Sequence, residues 1–169
     1  MSLSEVGIGP SPPHVVNTII EIPKGGSNKY EVDEKSGIVK LDRVLYSPLF
    51  YPCDYGYIPG TLYSDGDPLD ALVLISHPTF PGCVVEARPI GVLGMSDDKG
   101  QDDKILCVAM KDPRFVEIRS IYDLADHTKR EIMHFFEVYK QLEEKPVDVI
   151  GWGDELKAFE LIDEFRVLK

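Results

Sequence analysis

The chain has 169 residues, 43% hydrophobic and 28% charged, which suits one packed domain and excludes wholesale disorder. Against 29 acidic residues stand only 18 basic ones, giving a net charge of −11 and a pI near 4.7. An excess of that sign argues against a general nucleic-acid binder and against a polybasic membrane anchor.

Residues 1–13 are polar and proline-rich and read as a loose N-terminal arm ahead of a single domain. From 15 to 110 the pattern is of short strands and turns. Val16, Thr18, Ile20 and Ile22 share one strand face, with Asn17, Ile19 and Glu21 on the other. Residues 29–33 alternate, so that Lys29, Glu31 and Asp33 project together. In residues 39–45 an arginine, Arg43, occupies the face of Val39, Leu41 and Leu45. Further strands are expected at 71–76, 84–95 and 104–110, a set that points to a closed or nearly closed small barrel. Asp126 is placed to cap a helix reaching about Leu142, with Ile132, Phe135, Phe136 and Tyr139 along one stripe. A turn at Gly151-Trp152-Gly153 then leads into a second helix from about Asp154, carrying Leu156, Phe159, Ile162 and Phe165. Strands first and helices later fit an α+β domain with two helices packed on the barrel.

Cys53, Cys83 and Cys107 are odd in number and form no Cys-x-x-Cys pair, so reduced thiols are expected rather than a disulfide framework or zinc site. No run approaches the roughly 20 apolar residues of a spanning helix, and the N-terminus lacks a secretory pattern. A cytoplasmic protein without membrane partners is expected.

The sharpest local feature is Asp65-Gly66-Asp67-Pro68-Leu69-Asp70, in which Gly66 permits a tight turn and three carboxylates leave one bend. It is not an EF-hand loop, which needs Gly where Asp70 stands and Glu where Ser76 stands. A second acidic loop at 96–104 adds Asp97, Asp98, Asp102 and Asp103. The first loop alone reads equally well as a solvated turn, and the second alone reads better as one. At one barrel mouth, however, seven carboxylates would repel one another, by about 4 kcal/mol per pair at 4 Å and an effective dielectric of 20. Protons or divalent cations must then relieve the repulsion, and all-oxygen ligation favours Mg2+, with Mn2+ as a substitute, over zinc. Lys29, Arg43, Lys104 and Lys140, with the phenols of Tyr51, Tyr55 and Tyr139, supply donors suited to phosphate oxygens. Carboxylates for metal beside such donors describe a phosphoryl-transfer site.

These residues carry a resemblance. From about Thr18 to the C-terminal helix the sequence resembles the soluble family I inorganic pyrophosphatases. It does so through the Asp65–Asp70 signature followed by Ala71, and through Glu21-Ile22-Pro23, Lys29-Tyr30-Glu31 and Asp42-Arg43. Phe50-Tyr51-Pro52-Cys53-Asp54-Tyr55-Gly56-Tyr57, Gly91-Val92-Leu93-Gly94-Met95 and His134-Phe135-Phe136-Glu137-x-Tyr139-Lys140 complete the set. The resemblance implies an OB-like five-stranded barrel with additional strands and two helices, several Mg2+ ions, and hydrolysis of inorganic diphosphate to two phosphates. It further implies Asp65, Asp70, Asp97 and Asp102 as metal ligands and Asp67 as the base toward the attacking water. Tyr55 falls beside the nucleophile region. Lys29, Arg43, Lys104, Tyr139 and Lys140 become phosphate contacts, and Glu21, Glu31 and Tyr51 become supporting wall residues. Asp98 departs from the glutamate expected in close relatives. Compact members form homohexamers, so a homo-oligomer is expected by the same resemblance.

Rival chemistries lack their marks. Arg130-Glu131 is not followed by the acidic pair of a Nudix box, Gly25-Gly26-Ser27 lacks the Walker A ending, and no Gly-x-Ser-x-Gly elbow occurs. Oligonucleotide binding by an OB-like barrel is opposed by the charge. A non-catalytic metal module would leave the phosphate-type donors unexplained.

Overall fold

The computed structural model describes residues 2–168. In chain order the strands are β1 (Val16–Ile22), β2 (Asn28–Val32), β3 (Val39–Val44), β4 (Asp54–Tyr57), β5 (Asp70–Leu74), β6 (Val84–Asp97), β7 (Gly100–Gln101), β8 (Lys104–Ala109) and β9 (Val147–Asp154). The α-helices are α1 (Asp126–Val138) and α2 (Glu155–Phe165).

Strand β1 pairs with β4, β4 with β5, β5 with β8, β8 with β6, and β6 returns to β1. Five strands therefore close on themselves, which removes the free edges an open sheet would leave. The β5–β8 pairing is parallel, and it sets Asp70 opposite Lys104. Strands β7 and β9 extend from β6, while β2 and β3 form a separate hairpin. This is the OB-like α+β barrel with added strands that the sequence leads one to expect.

Two apolar cores flank the ring. One gathers Leu72, Leu74, Leu106 and Val108 under Phe135 and Phe136 of α1; the other gathers Ala71, Val73, Ile105 and Cys107 under Leu161 and Ile162 of α2. Strands β5 and β8 alternate between these cores, which is why they read as continuous apolar runs. Gly56 on β4 is dictated by closeness, because a Cβ there would fall inside the Ile19 carbonyl of β1. Gly66, at φ +88°, supplies the left-handed turn of the first acidic loop.

Several expectations are corrected. Residues 2–13 are docked rather than loose: Ser2 caps a 3-10 turn at Leu3–Glu5, Asn17 N–H donates to Ile8 C=O at 2.8 Å, and Ser11 bridges to Val15. The strict two-face reading of β1 fails. Ile19 is as buried as Ile20, and a register shift between Ile20 and Ile22 sends Ile22 into the opposite core. The apolar face of β3 is not buried, Val39 and Leu41 being 41% and 56% exposed, because no second layer covers the hairpin. Asp126 is the first residue of α1 rather than its side-chain cap, and the helix stops at Val138 before a separate 3-10 turn. Gly151-Trp152-Gly153 lies within β9, paired to β6, and is not a turn. Asp154 does cap α2, accepting from Lys157 N–H at 3.2 Å, but Leu156 points outward while Ala158, Leu161 and Ile162 are buried.

Candidate active site

The two acidic loops arrive at one end of the barrel for reasons of topology. Asp65 and Asp67 precede β5 and Asp70 opens it, while Asp97 closes β6 and Asp102 leads into β8. Because β5 and β8 are parallel neighbours, their starts lie side by side. A cavity of about 220 Å³ forms there. Its walls include Asp65, Asp67, Asp70, Asp97 and Asp102, together with Lys29, Arg43, Tyr51, Tyr55, Lys104, Tyr139 and Lys140. An adjoining cleft of about 420 Å³ shares Lys29, Tyr55, Asp67 and Asp70 and adds Glu21 and Glu31. Every residue given a metal, substrate, catalytic or supporting role from sequence thus falls in one of two joined hollows. Of the seven aspartates in the two loops, Asp98 and Asp103 do not line either one. Lys99, Gln101 and Phe136 do line the smaller cavity, without having been singled out. The first two sit in the tip and return of the second loop. Asp42 and Glu143 also contribute, holding Lys29 and Arg43. Asp42 is visible beside Arg43 in sequence, but nothing local marks Glu143.

Lys104 organises the floor. Its Nζ is 2.7 Å from Asp70 Oδ2 and 2.9 Å from Asp102 Oδ2, with the side chain only 2% exposed. The Tyr55 and Phe136 rings flank it, their centroids 5.6 and 5.7 Å from the ammonium. Burial alone would lower the Lys104 pKa, but Asp70, Tyr55 and Asp102 more than offset it and hold the group firmly charged. Burial pushes Asp102 up to about 6 even with Lys104 pulling it down. Asp97 behaves oppositely: burial raises it, but the Lys99 amide at 2.8 Å and Lys140 at 3.4 Å bring it below the usual range.

The remaining cations are lightly tethered. Lys29 and Arg43 lie 3.8 and 3.7 Å from Asp42, and Arg43 is 3.8 Å from Glu143. Separations this long leave their donors free for a stronger anionic partner. Burial raises the Tyr139 phenol to about 12 and lifts Tyr55 and Tyr51 well above the normal range, so all three stay protonated donors at neutral pH. Glu21 is raised to about 7, again by burial, against the Val32 N–H that reaches it at 3.3 Å.

Among the described residues no three carboxylate, histidine or cysteine groups close into a ready-made metal cage. The carboxylates stand on the cavity walls, and the donor set is wholly oxygen. That arrangement fits Mg2+, which commonly takes one or two protein carboxylates and completes its octahedron with water and substrate phosphate. It does not fit zinc, whose structural sites are closed tetrahedra of sulfur and nitrogen.

The family model described as inorganic pyrophosphatase matches residues 18–167. An inorganic pyrophosphatase of Synechocystis sp. is 51% identical over 164 residues, covering 97% of this chain and 96% of the relative. The crystal structure of inorganic pyrophosphatase from Thermus thermophilus superposes with a TM-score of 0.92 at 48% identity, over 96% of this chain and 95% of that one. A truncated vacuolar soluble pyrophosphatase of Trypanosoma cruzi, crystallised in complex with PPi, gives 0.77 at 27% identity, over 92% of this chain and 68% of that one.

Proposed function

The chain belongs to the inorganic pyrophosphatase family and is a diphosphatase that hydrolyses inorganic diphosphate; we propose that it does so with several Mg2+ ions, by direct attack of water on phosphorus and without a phosphoenzyme. What carries this reading is one cavity lined by five aspartates together with Lys29, Arg43, Lys104 and Lys140. Together the carboxylates and the cations match a metal–phosphate substrate.

Asp65, Asp70, Asp97 and Asp102 are the residues that would hold the cations, with Mn2+ an acceptable substitute. When bound, Mg2+ offsets carboxylate and diphosphate charge and lowers the pKa of water on it. Asp67 orients the attacking water and accepts its proton, help usually worth about 10²–10⁴ in rate. Tyr55 falls beside the nucleophile region, where its phenol keeps its proton and serves as a hydrogen-bond donor. Lys29, Arg43, Tyr139 and Lys140 donate to phosphate oxygens, stabilising charge as it gathers on the leaving phosphate. Lys104 keeps Asp70 and Asp102 close by neutralising the repulsion between them, and contacts phosphate from the floor. Glu21, Glu31 and Tyr51 support the walls.

The same reading extends to one catalytic domain, a cytoplasmic location and assembly as a homohexamer. Among the described residues no helix is long and apolar enough to cross a membrane.

The test is phosphate release from diphosphate with and without Mg2+, with a nucleoside triphosphate as competitor. Release that requires Mg2+ and is little reduced by the competitor is expected. Equal release in chelator overturns the metal requirement.

A further inference from the structure

Asp103 belongs to the second acidic loop, yet its carboxylate turns away from the cavity that Asp102 and Lys104 face. Strand parity is the cause. Leu106 and Val108 point with Lys104 toward the core under α1, so Asp103 points with Ile105 and Cys107 toward the core under α2. There Asp103 is 5% exposed. One of its oxygens accepts the Tyr63 hydroxyl at 3.0 Å and Gln101 Nε2–H at 2.9 Å, while the other faces Met95 N–H at 3.4 Å.

Tyr63 in turn belongs to the first acidic loop. Its amide donates to Asp67 C=O at 2.7 Å, and its carbonyl accepts Gly66 N–H at 3.0 Å. Its ring meets Phe165 of α2 edge-on, with centroids 4.8 Å apart. A single phenol–carboxylate bond therefore ties the loop of Asp65, Asp67 and Asp70 to the loop of Asp97 and Asp102, from behind the sheet. On the cavity side the loops are joined by Lys104, a contact that any cation entering between Asp70 and Asp102 competes with. The bond behind the sheet meets no such competition. Its acceptor is a buried carboxyl group, so losing the phenol would leave a buried polar atom with one partner fewer.

We propose that Tyr63 and Asp103 are positioning residues whose hydrogen bond sets the spacing of the two carboxylate loops and thereby the affinity for the cations those loops hold. The inference rests on the reading of Asp65, Asp70, Asp97 and Asp102 as cation ligands. Holding like charges at a working separation before the cation arrives removes a cost that binding would otherwise bear.

Tyr63→Phe deletes the hydroxyl and keeps the ring on Phe165. Calorimetric titration of the full chain with Mg2+, without diphosphate, is expected to show affinity lowered about three- to tenfold. The Mg2+ concentration for half-maximal phosphate release should rise in step, while kcat at saturating Mg2+ stays within about twofold of wild type. Asp103→Asn retains an oxygen for the phenol and should shift affinity less. Ile162→Val thins the same core; it is expected to lower the melting temperature and leave Mg2+ affinity unchanged. A Tyr63→Phe protein that binds Mg2+ as wild type does overturns the inference, as does an equal shift from Ile162→Val. A wild type that takes up no Mg2+ in the calorimeter and works equally in chelator overturns the cation reading itself, a different result from either.

Discussion

On the proposed reading, Asp67 is the side chain on which the chemistry turns. It lines both hollows, and no lysine or arginine lies within ion-pair distance of it among the described residues. Asp67→Asn keeps its shape and removes its basicity, so kcat should fall about 10²–10⁴-fold with KM changed far less. Steady-state kinetics across diphosphate concentrations checks this, and an unaltered kcat removes Asp67 from the role. Arg43→Lys should lower kcat/KM, because one ammonium replaces a planar fork; the same kinetics would reveal it. Glu21 gives a pH signature. With its pKa raised to about 7 by burial, the folded protein holds a proton that the unfolded chain releases above about 4.5. Between those values stability must fall as pH rises, and the loss is complete above about 7. Glu21→Gln should therefore be more stable than wild type at pH 8 by about 3 kcal/mol and no more stable at pH 4, in denaturant titrations of metal-free protein. Asp65, Asp67 and Asp70 were legible in sequence because Gly66 and Pro68 confine them to one bend. Asp103 was not, because nothing in a run of two aspartates and a lysine reveals which residue begins the alternation of β8.

At the scale of elements, what sequence revealed depended on whether a pattern had one cause. Strands β5 and β8, buried on both faces, and α2, capped by Asp154, carry unmistakable signals. Strand β9 does not, since its glycines serve the paired strand and not a turn: Gly151 takes φ +138°, and a Cβ on Gly153 would press on the Lys157 side chain at 3.3 Å. The β2–β3 hairpin misleads for the opposite reason, having apolar alternation without a layer to bury it. Gly56 is the closest approach within the ring. Gly56→Ala should drive β1 and β4 apart and cost about 3 kcal/mol or more, read from denaturant midpoints.

The whole molecule carries a charge of −11 and must still admit a polyanion. On the proposed reading cation uptake is the means by which it does so, and that uptake should register as stability. At about one hundred times its dissociation constant, one bound Mg2+ adds about 2.7 kcal/mol. The melting temperature should rise in Mg2+ and not in Na+ of equal ionic strength, and chelator should reverse the rise. A rise of the same size in Na+ would assign it to screening alone.

The parallel pairing of β5 with β8 has a temporal consequence. Asp70 and Lys104 stand opposite each other although 34 residues of chain separate them, and such distant partners meet slowly. A nascent chain that has emerged only through β6 possesses one bank of the site and lacks the other. Competence to turn over diphosphate should therefore be the last property gained in refolding, appearing in the same kinetic phase as ring closure and never ahead of it.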